Sequence, residues 1–310
     1  IGYGAWGIGG IQWLGGRDED SVAALKRAIA LGLNFIDTAL AYGEGHSERI
    51  VGEVLREVGA PVLVATKIPP RNQVWPARSG HALDDVFPYH YSIACTEQSL
   101  RNLGMEQIDL QQFHVWNPEW LERDDWRRAI EDLKASGKVR YFGISINDHQ
   151  PDSALSIIRT GLIDSVQVIY NIFDQTPEIN LFPLCQKHGV GVIARVPLDE
   201  GALTGHIRED TVFAPGEFRE AYFRGDHKKQ VVQHVTPLLN DLREAGIQQP
   251  LAEVALRFCI SHPAVSTVIP GMRKPHHVEA NCALSAQGPL TLPVLELLKR
   301  HAWVKNFYPA

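Results

Sequence analysis

The chain is predicted to fold as an α/β protein of the (β/α)8 TIM-barrel type, on three observations. Short, almost continuously apolar runs alternate with longer amphipathic stretches from end to end, the apolar runs number eight, and no Pro/Gly/Ser-rich linker divides them. The runs lie near 3–8, 34–38, 62–67, 108–114, 140–145, 165–169, 190–195 and 266–270. Such continuity is expected of parallel strands covered on both faces. Helical spacing recurs between them. Val22, Leu25, Ile29 and Leu33 follow the acidic start Asp18-Glu19-Asp20, and Gly32 supplies a stop. Ser47 is predicted to open the next helix, with Ile50, Val54, Leu55 and Val58 on one face. Trp126, Ile130 and Leu133 repeat the spacing before Gly137. A doubly wound sheet, the competing arrangement, usually has fewer strands per domain and a boundary between domains. We therefore expect one barrel domain over 1–310, with long βα loops at 68–90 and 196–250 on the C-terminal rim.

Composition excludes several classes. At 310 residues, 45% hydrophobic and 21% charged, the chain suits a folded globule and not a disordered one. Thirty Lys+Arg against 36 Asp+Glu leave a net charge of −6, so no basic footprint for nucleic acid exists. No apolar run approaches the roughly 20 residues that cross a bilayer, and the first residues lack the basic start of a signal peptide. Cys95, Cys185, Cys259 and Cys282 are dispersed without a Cys-x-x-Cys pair, which fits a reducing compartment. The 13 histidines include no His-Glu-x-x-His, and no metal site is expected. A cytoplasmic protein with a small-molecule partner is the expectation. The oligomeric state is left open, a homo-oligomer included.

Gly2-Tyr3-Gly4-Ala5-Trp6-Gly7 fits the dinucleotide pattern Gly-x-Gly-x-x-Gly in letter only. That motif needs a helix opening on its last glycine and a strand-end acid about 20 residues on. Ile8-Gly9-Gly10 is a poor helix start, and Asp37 comes about ten residues too late. A glycine-loosened barrel strand is the better reading.

Asp37, Tyr42, Lys67 and His114 fall at or just beyond the ends of successive predicted strands, the rim where barrels gather catalytic groups. Each alone is an ordinary strand-end polar residue. Together their chemistry is complementary. A free tyrosine ionises near ~10 and is a poor acid at neutral pH, and an adjacent ammonium lowers that value. Asp37 would keep a buried Lys67 charged, and His114 could orient a substrate oxygen toward Tyr42. The set would protonate a carbonyl that receives a hydride.

The run Asp37-Thr38-Ala39-Leu40-Ala41-Tyr42-Gly43-Glu44-Gly45-His46-Ser47-Glu48 closely resembles the signature of the aldo-keto reductase family. Thr66-Lys67, Asp109 to His114 with Trp116 and Pro118, and Gly143-Ile144-Ser145 continue the likeness. So do Gln167 with Tyr170-Asn171, Pro197-Leu198 with Gly201-Ala202-Leu203-Thr204-Gly205, and Ile269-Pro270-Gly271, in order along the whole chain. The resemblance implies a barrel that binds NADP(H) across its rim without a Rossmann domain. It also implies hydride transfer between C4 of the nicotinamide and an aldehyde or ketone, with Tyr42 as general acid in a tetrad with Asp37, Lys67 and His114. By the same resemblance Ser145 and Gln167 hold the nicotinamide carboxamide. Asn147 joins them one position after the family's usual asparagine, whose place is taken by Ile146. Arg195 stands where many members carry a tyrosine that stacks on the nicotinamide. Pro197, Leu198, Gly201 and Leu203 are expected along the pyrophosphate, and Asn281 at the adenine. Gly271, Arg273 and Lys274 precede a helix start, which suits a 2′-phosphate, with NAD(H) not excluded.

On the substrate side, Trp6, Trp75, Tyr89 and Trp116 fall in rim loops or strand ends and are candidates for the pocket wall. Arg71, Arg78, His81, Asp84, Asp85, Asp199, Glu200 and Arg219 in the two long loops point to a sugar-like or anionic carbonyl. The leading expectation is an NADP(H)-dependent oxidoreductase. Its rivals are a non-catalytic nicotinamide-binding regulatory barrel and a cofactor-free isomerase or lyase with Lys67 or His114 as base.

Overall fold

A computed structural model describes residues 1–10 and 13–308. Eight strands pair in parallel and in chain order: β1 (Tyr3–Gly4), β2 (Phe35–Asp37), β3 (Leu63–Ile68), β4 (Ile108–Phe113), β5 (Val139–Ser145), β6 (Ser165–Ile169), β7 (Gly191–Arg195) and β8 (Val265–Val268). The ring closes where the Gly2 N–H donates to the Val268 carbonyl at 2.9 Å and the Gly4 N–H to the Pro270 carbonyl at 3.0 Å. The expected barrel is present, and each predicted apolar run overlaps a strand. The first is cut short. Only Tyr3-Gly4 is extended, and Trp6–Gly9 coil into a 3-10 turn that carries the chain over the rim. Gly4 is needed at the seam, because a Cβ there would lie 2.6 Å from the Ile269 carbonyl oxygen.

The connections hold α1 (Asp18–Ala30), α2 (His46–Val58), α3 (Leu83–Val86), α4 (Tyr89–Leu103), α5 (Asp125–Ala135) and α6 (Leu155–Ile158). They continue with α7 (Leu181–His188), α8 (Phe218–Tyr222), α9 (His227–Glu244), α10 (Leu251–Ser261), α11 (Pro275–Gln287) and α12 (Leu292–Lys299). The helices cover the strands through one contiguous apolar layer that includes Leu25, Ile29, Val54, Trp126, Ile130 and Leu133. A smaller cluster, Ala65, Leu110, Ile193 and Ile269 with Phe35 against it, forms a separate apolar group. Among the described residues no helix is long and apolar enough to cross a membrane.

Two local expectations are corrected. Ser47 does not cap α2, which starts from Gly45 in the left-handed region at φ 80°. The Ser47 hydroxyl is buried instead, donating to the Ala5 carbonyl at 3.0 Å and accepting from Thr38 Oγ1 at 2.8 Å. It thus ties α2 to β1, a stronger claim on a buried hydroxyl than an exposed cap. The connection over 196–250 is not an open loop either: it contains α8 and the 18-residue α9.

Candidate active site

The C-terminal ends of β2, β3 and β4 bring three of the four candidate catalytic side chains together. Asp37 ends β2, Lys67 is the penultimate residue of β3, and His114 follows β4. Tyr42 enters from the turn between β2 and α2. Parallel register sets Asp37 beside Ala65 and Lys67 beside Gln112. Lys67 and Asp37 are almost wholly buried, 0% and 2% exposed. Lys67 Nζ donates to Asp37 Oδ1 at 2.5 Å, to the Thr38 carbonyl at 2.7 Å and to Tyr42 Oη at 3.3 Å. All three ammonium hydrogens are thereby used. The other Asp37 oxygen accepts from Gln167 Nε2 at 2.8 Å and Gln112 Nε2 at 3.4 Å. The Tyr42 and His114 rings meet edge to face, with centroids 5.8 Å apart.

Burial raises the Tyr42 phenol above its ordinary value, and Lys67 pulls it back only in part while Asp37 adds to the rise. Desolvation therefore outweighs the ammonium, against the net lowering expected from sequence, and Tyr42 keeps its proton at neutral pH. Burial also opposes the Lys67 charge, but Asp37 and Tyr42 outweigh it and raise the Lys67 pKa. His114 is held well below its ordinary 6.5 by burial and by the Lys67 and Arg195 cations. It is a neutral imidazole whose Nδ1 is buried without a hydrogen-bond partner among the described residues.

A cleft of about 970 Å³ opens above these groups. It is lined by Asp37, Tyr42 and His114, by Trp6 and Trp75, and by Ser145, Asn147, Gln167, Arg195, Pro197, Leu198, Gly201, Gly271, Arg273 and Lys274. Lys67, wholly buried and bonded to Asp37 and Tyr42, does not itself line it, and neither do four further candidates. Tyr89 begins α4 on the outer surface, its hydroxyl donating to Asp132 Oδ2 at 2.6 Å. Trp116 is completely buried against Trp120 and Trp126, because the chain has left β4 and strand alternation no longer aims its side chains. Leu203 is buried in the core below the β7 loop, and Asn281 lies a turn beyond the lining residue His277 on α11. The charged residues Arg71, Arg78, His81, Asp84 and Asp85 are also absent from the lining.

Asn147 and Arg195 have polar atoms engaged elsewhere, although Arg195 Nε is buried without a partner among the described residues. The Asn147 amide bonds both the N–H and the carbonyl of Ala77 at 3.0 Å. Arg195 Nη2 donates to Asp148 Oδ1 at 2.7 Å and to the Ile146 carbonyl at 3.0 Å.

Sequence reasoning missed several contributors. The Trp13 ring lies under two guanidinium groups, with the Arg219 and Arg273 carbons 5.0 and 5.5 Å from its centroid. Phe218 packs on Trp6 at 5.0 Å. Tyr308, from the C-terminal segment, reaches the cleft and donates to Glu200 Oε1 at 2.8 Å. Burial pushes the Glu200 carboxyl up to about 7, with the neighbouring Asp199 adding to the rise and the Tyr308 hydrogen bond opposing it. The acidic pair 199–200 and the terminal Lys305 and Tyr308 were visible in the sequence, but nothing local joined them.

Residues 1–302 match the sequence profile of the Aldo/keto reductase family. The chain is 28% identical over 289 residues to Aldo-keto reductase YhdN of Bacillus subtilis (strain 168), covering 90% of this chain and 83% of that one. It is 28% identical over 300 residues to the NADH-specific methylglyoxal reductase of Escherichia coli (strain K12), covering 91% and 88%. Its fold matches the aldo/keto reductase from Klebsiella pneumoniae in complex with NADP and acetate with a TM-score of 0.68 and 26% identity, covering 97% and 90%. The chain therefore belongs to the aldo-keto reductase family of oxidoreductases.

Proposed function

We propose that this protein reduces an aldehyde or ketone, or oxidises the corresponding alcohol, with NADP(H) and with Tyr42 as the proton donor. The observation that carries the reading is the buried Lys67 ammonium, shared among the Thr38 carbonyl and the two cleft-lining groups Asp37 and Tyr42 Oη. A cation hydrogen-bonded to a protonated phenol stabilises the phenolate left after proton transfer, which is where charge develops. Neutral His114 suits a hydrogen bond to the carbonyl oxygen, since a neutral imidazole can donate without competing as an acid. These roles are arguments from geometry and from the family.

The cleft fits the cofactor. Ser145 and Gln167 line it from β5 and β6, and Arg273, Lys274 and His277 line it from beyond β8, across the ring. None of these last three is in an ion pair among the described residues; Arg273 and Lys274 are cations ready for a phosphate, while burial and the neighbouring His276, Lys274 and Arg273 lower the His277 pKa. Bound NADP(H) supplies the hydride from C4 of its nicotinamide. Asn147 is left out of the cofactor set, because Ala77 occupies its amide. An NADH-specific relative makes NAD(H) the second cofactor to test.

Of the charged residues behind the sugar-like substrate expected from sequence, Glu200 and Arg219 line the cleft and those of 68–90 do not. Trp6, Trp75 and Phe218 do, and they suit a carbonyl with an apolar substituent. The deciding experiment titrates the protein with NADPH and follows turnover of an aldehyde panel by wild type and Tyr42→Phe. We expect retained NADPH binding and a loss of turnover of about 10²–10⁴-fold in the variant. Equal turnover by the two would remove Tyr42 from the chemistry. Binding of NADPH by wild type with no turnover of any aldehyde would favour the regulatory barrel.

A further inference from the structure

The wall of the cleft over His114 comes from the segment between β3 and α3, and a buried side chain of another loop holds that segment. Asn147 is 5% exposed. Its Oδ1 accepts from the Ala77 N–H at 3.0 Å while its Nδ2 donates to the Ala77 carbonyl at 3.0 Å. The carboxamide takes both hydrogen bonds that a neighbouring strand would take. Nδ2 also donates to Gln150 Oε1 at 3.1 Å, so both amide hydrogens are used.

Two residues before Ala77, the Trp75 ring stands edge-on to His114, with centroids 5.8 Å apart and planes at 82°. Trp75 makes no hydrogen bond among the described residues, so its place depends on the backbone that carries it. Pro76 has no N–H with which to anchor that backbone. On the far side the chain is held at Arg78 by Asn117 and at Ser79 and Gly80 by Glu119. Before it, the Val74 N–H bonds Asn72 Oδ1 at 3.2 Å. The Asn147 clamp is thus the nearest anchor on the C-terminal side of Trp75.

We propose that Asn147 is a specificity-determining positioning residue: by clamping Ala77 it fixes Trp75 beside His114, so that the site favours carbonyls whose flat apolar substituent lies against the Trp75 ring. This rests on the reductase reading of the same site. It differs from a cofactor role for Asn147 in what it predicts. A loosened Trp75 affects only substrates large enough to reach it, and leaves the nicotinamide contacts in place.

The test compares Asn147→Ala, Trp75→Ala and the double variant with wild type, using NADPH titration by tryptophan fluorescence and steady-state kinetics. Benzaldehyde serves as the flat probe and propanal as the small one. For Asn147→Ala we expect NADPH affinity within about 2-fold of wild type, KM for benzaldehyde raised about 10-fold, and propanal kinetics changed by less than about 2-fold. Because Asn147 acts through Trp75, adding Asn147→Ala to Trp75→Ala should cost little more benzaldehyde selectivity. Should Asn147→Ala fail to fold, Asn147→Asp keeps the acceptor for the Ala77 N–H, loses the donor, and should shift benzaldehyde selectivity the same way. NADPH affinity lowered about 10-fold with aldehyde selectivity unchanged would overturn the proposal and return Asn147 to the cofactor. Fully additive losses in the double variant would overturn it as well. Failure of wild type itself to bind NADPH or reduce either aldehyde would instead defeat the reductase reading, and this inference with it.

Discussion

Lys67 has three ammonium hydrogens, and its surroundings offer three oxygens placed to take them. That match lets a charge sit in a fully buried position, where an unpaired ammonium would cost several kcal/mol. Burial sets the protonation states around it: Tyr42 stays protonated against the pull of the ammonium, and His114 stays neutral with the ammonium adding to the effect. Glu200 is another residue whose protonation the fold resets. An ordinary glutamate ionises at 4.5, while buried Glu200 holds its proton up to about 7. Between those values the folded chain binds a proton that the unfolded chain has released. This contribution to stability is therefore complete below 4.5 and is lost as pH rises through about 7. Melting wild type beside Glu200→Gln tests it. Raising the pH from about 5 to about 8 should lower the Tm of wild type relative to the variant. Parallel Tm curves would contradict a raised Glu200.

At the scale of elements, three consecutive side chains after β5 each tie down a different part of the rim. Asn147 bonds Ala77 of the β3 connection, Asp148 pairs with Arg195 at the end of β7, and His149 Nδ1 meets Asp174 Oδ2 at 2.6 Å beyond β6. Rim loops gain order from such cross-links, since loops have little regular hydrogen bonding of their own. Helices α2 and α4 show a different constraint. A Cβ at Gly52 would lie 2.3 Å from the Leu103 carbonyl oxygen, so the two backbones are nearly in contact. Backbone cannot step aside as a flexible side chain can. Gly52→Ala should therefore destabilise the fold by about 1–3 kcal/mol, seen as a lower denaturant midpoint at unchanged slope. An unchanged midpoint would mean that the α2–α4 contact gives way without cost.

Across the whole molecule, a net charge of −6 coexists with a cationic stretch of the cleft built from Arg273 and Lys274. Closing the barrel produces this, by setting the loop after β8 across the ring from Ser145 and Gln167. A cofactor spanning the cleft would present its adenosine phosphate to those cations. Arg273→Ala should then weaken NADPH binding by about 10–100-fold, the worth of one charge-assisted hydrogen bond of ~1.5–3 kcal/mol, and weaken NADH binding much less. Titrations with both cofactors decide it. Equal losses would separate Arg273 from the 2′-phosphate.

The strands were legible because a strand buried on both faces writes itself locally, as at 165–169, where every residue of β6 is buried. The four candidate residues were legible because Asp37, Lys67 and His114 stand at strand ends and all four, Tyr42 included, fall within an ordered family pattern. Trp116 and Tyr89 misled because aromatic character does not give direction: one packs inward among tryptophans, the other faces outward from α4. By itself the sequence determined the barrel, its family and the residues at the strand ends, since each depends on short-range pattern and chain order. Tertiary structure alone decided that Asn147 clamps Ala77, 70 residues away, and that Tyr308 meets Glu200 across 108. It also decided that burial, not Lys67, sets the net shift of Tyr42. Direction of a side chain, partners distant in the chain and loss of solvent arise only when the ring closes, and these are the terms that convert a list of residues into a site.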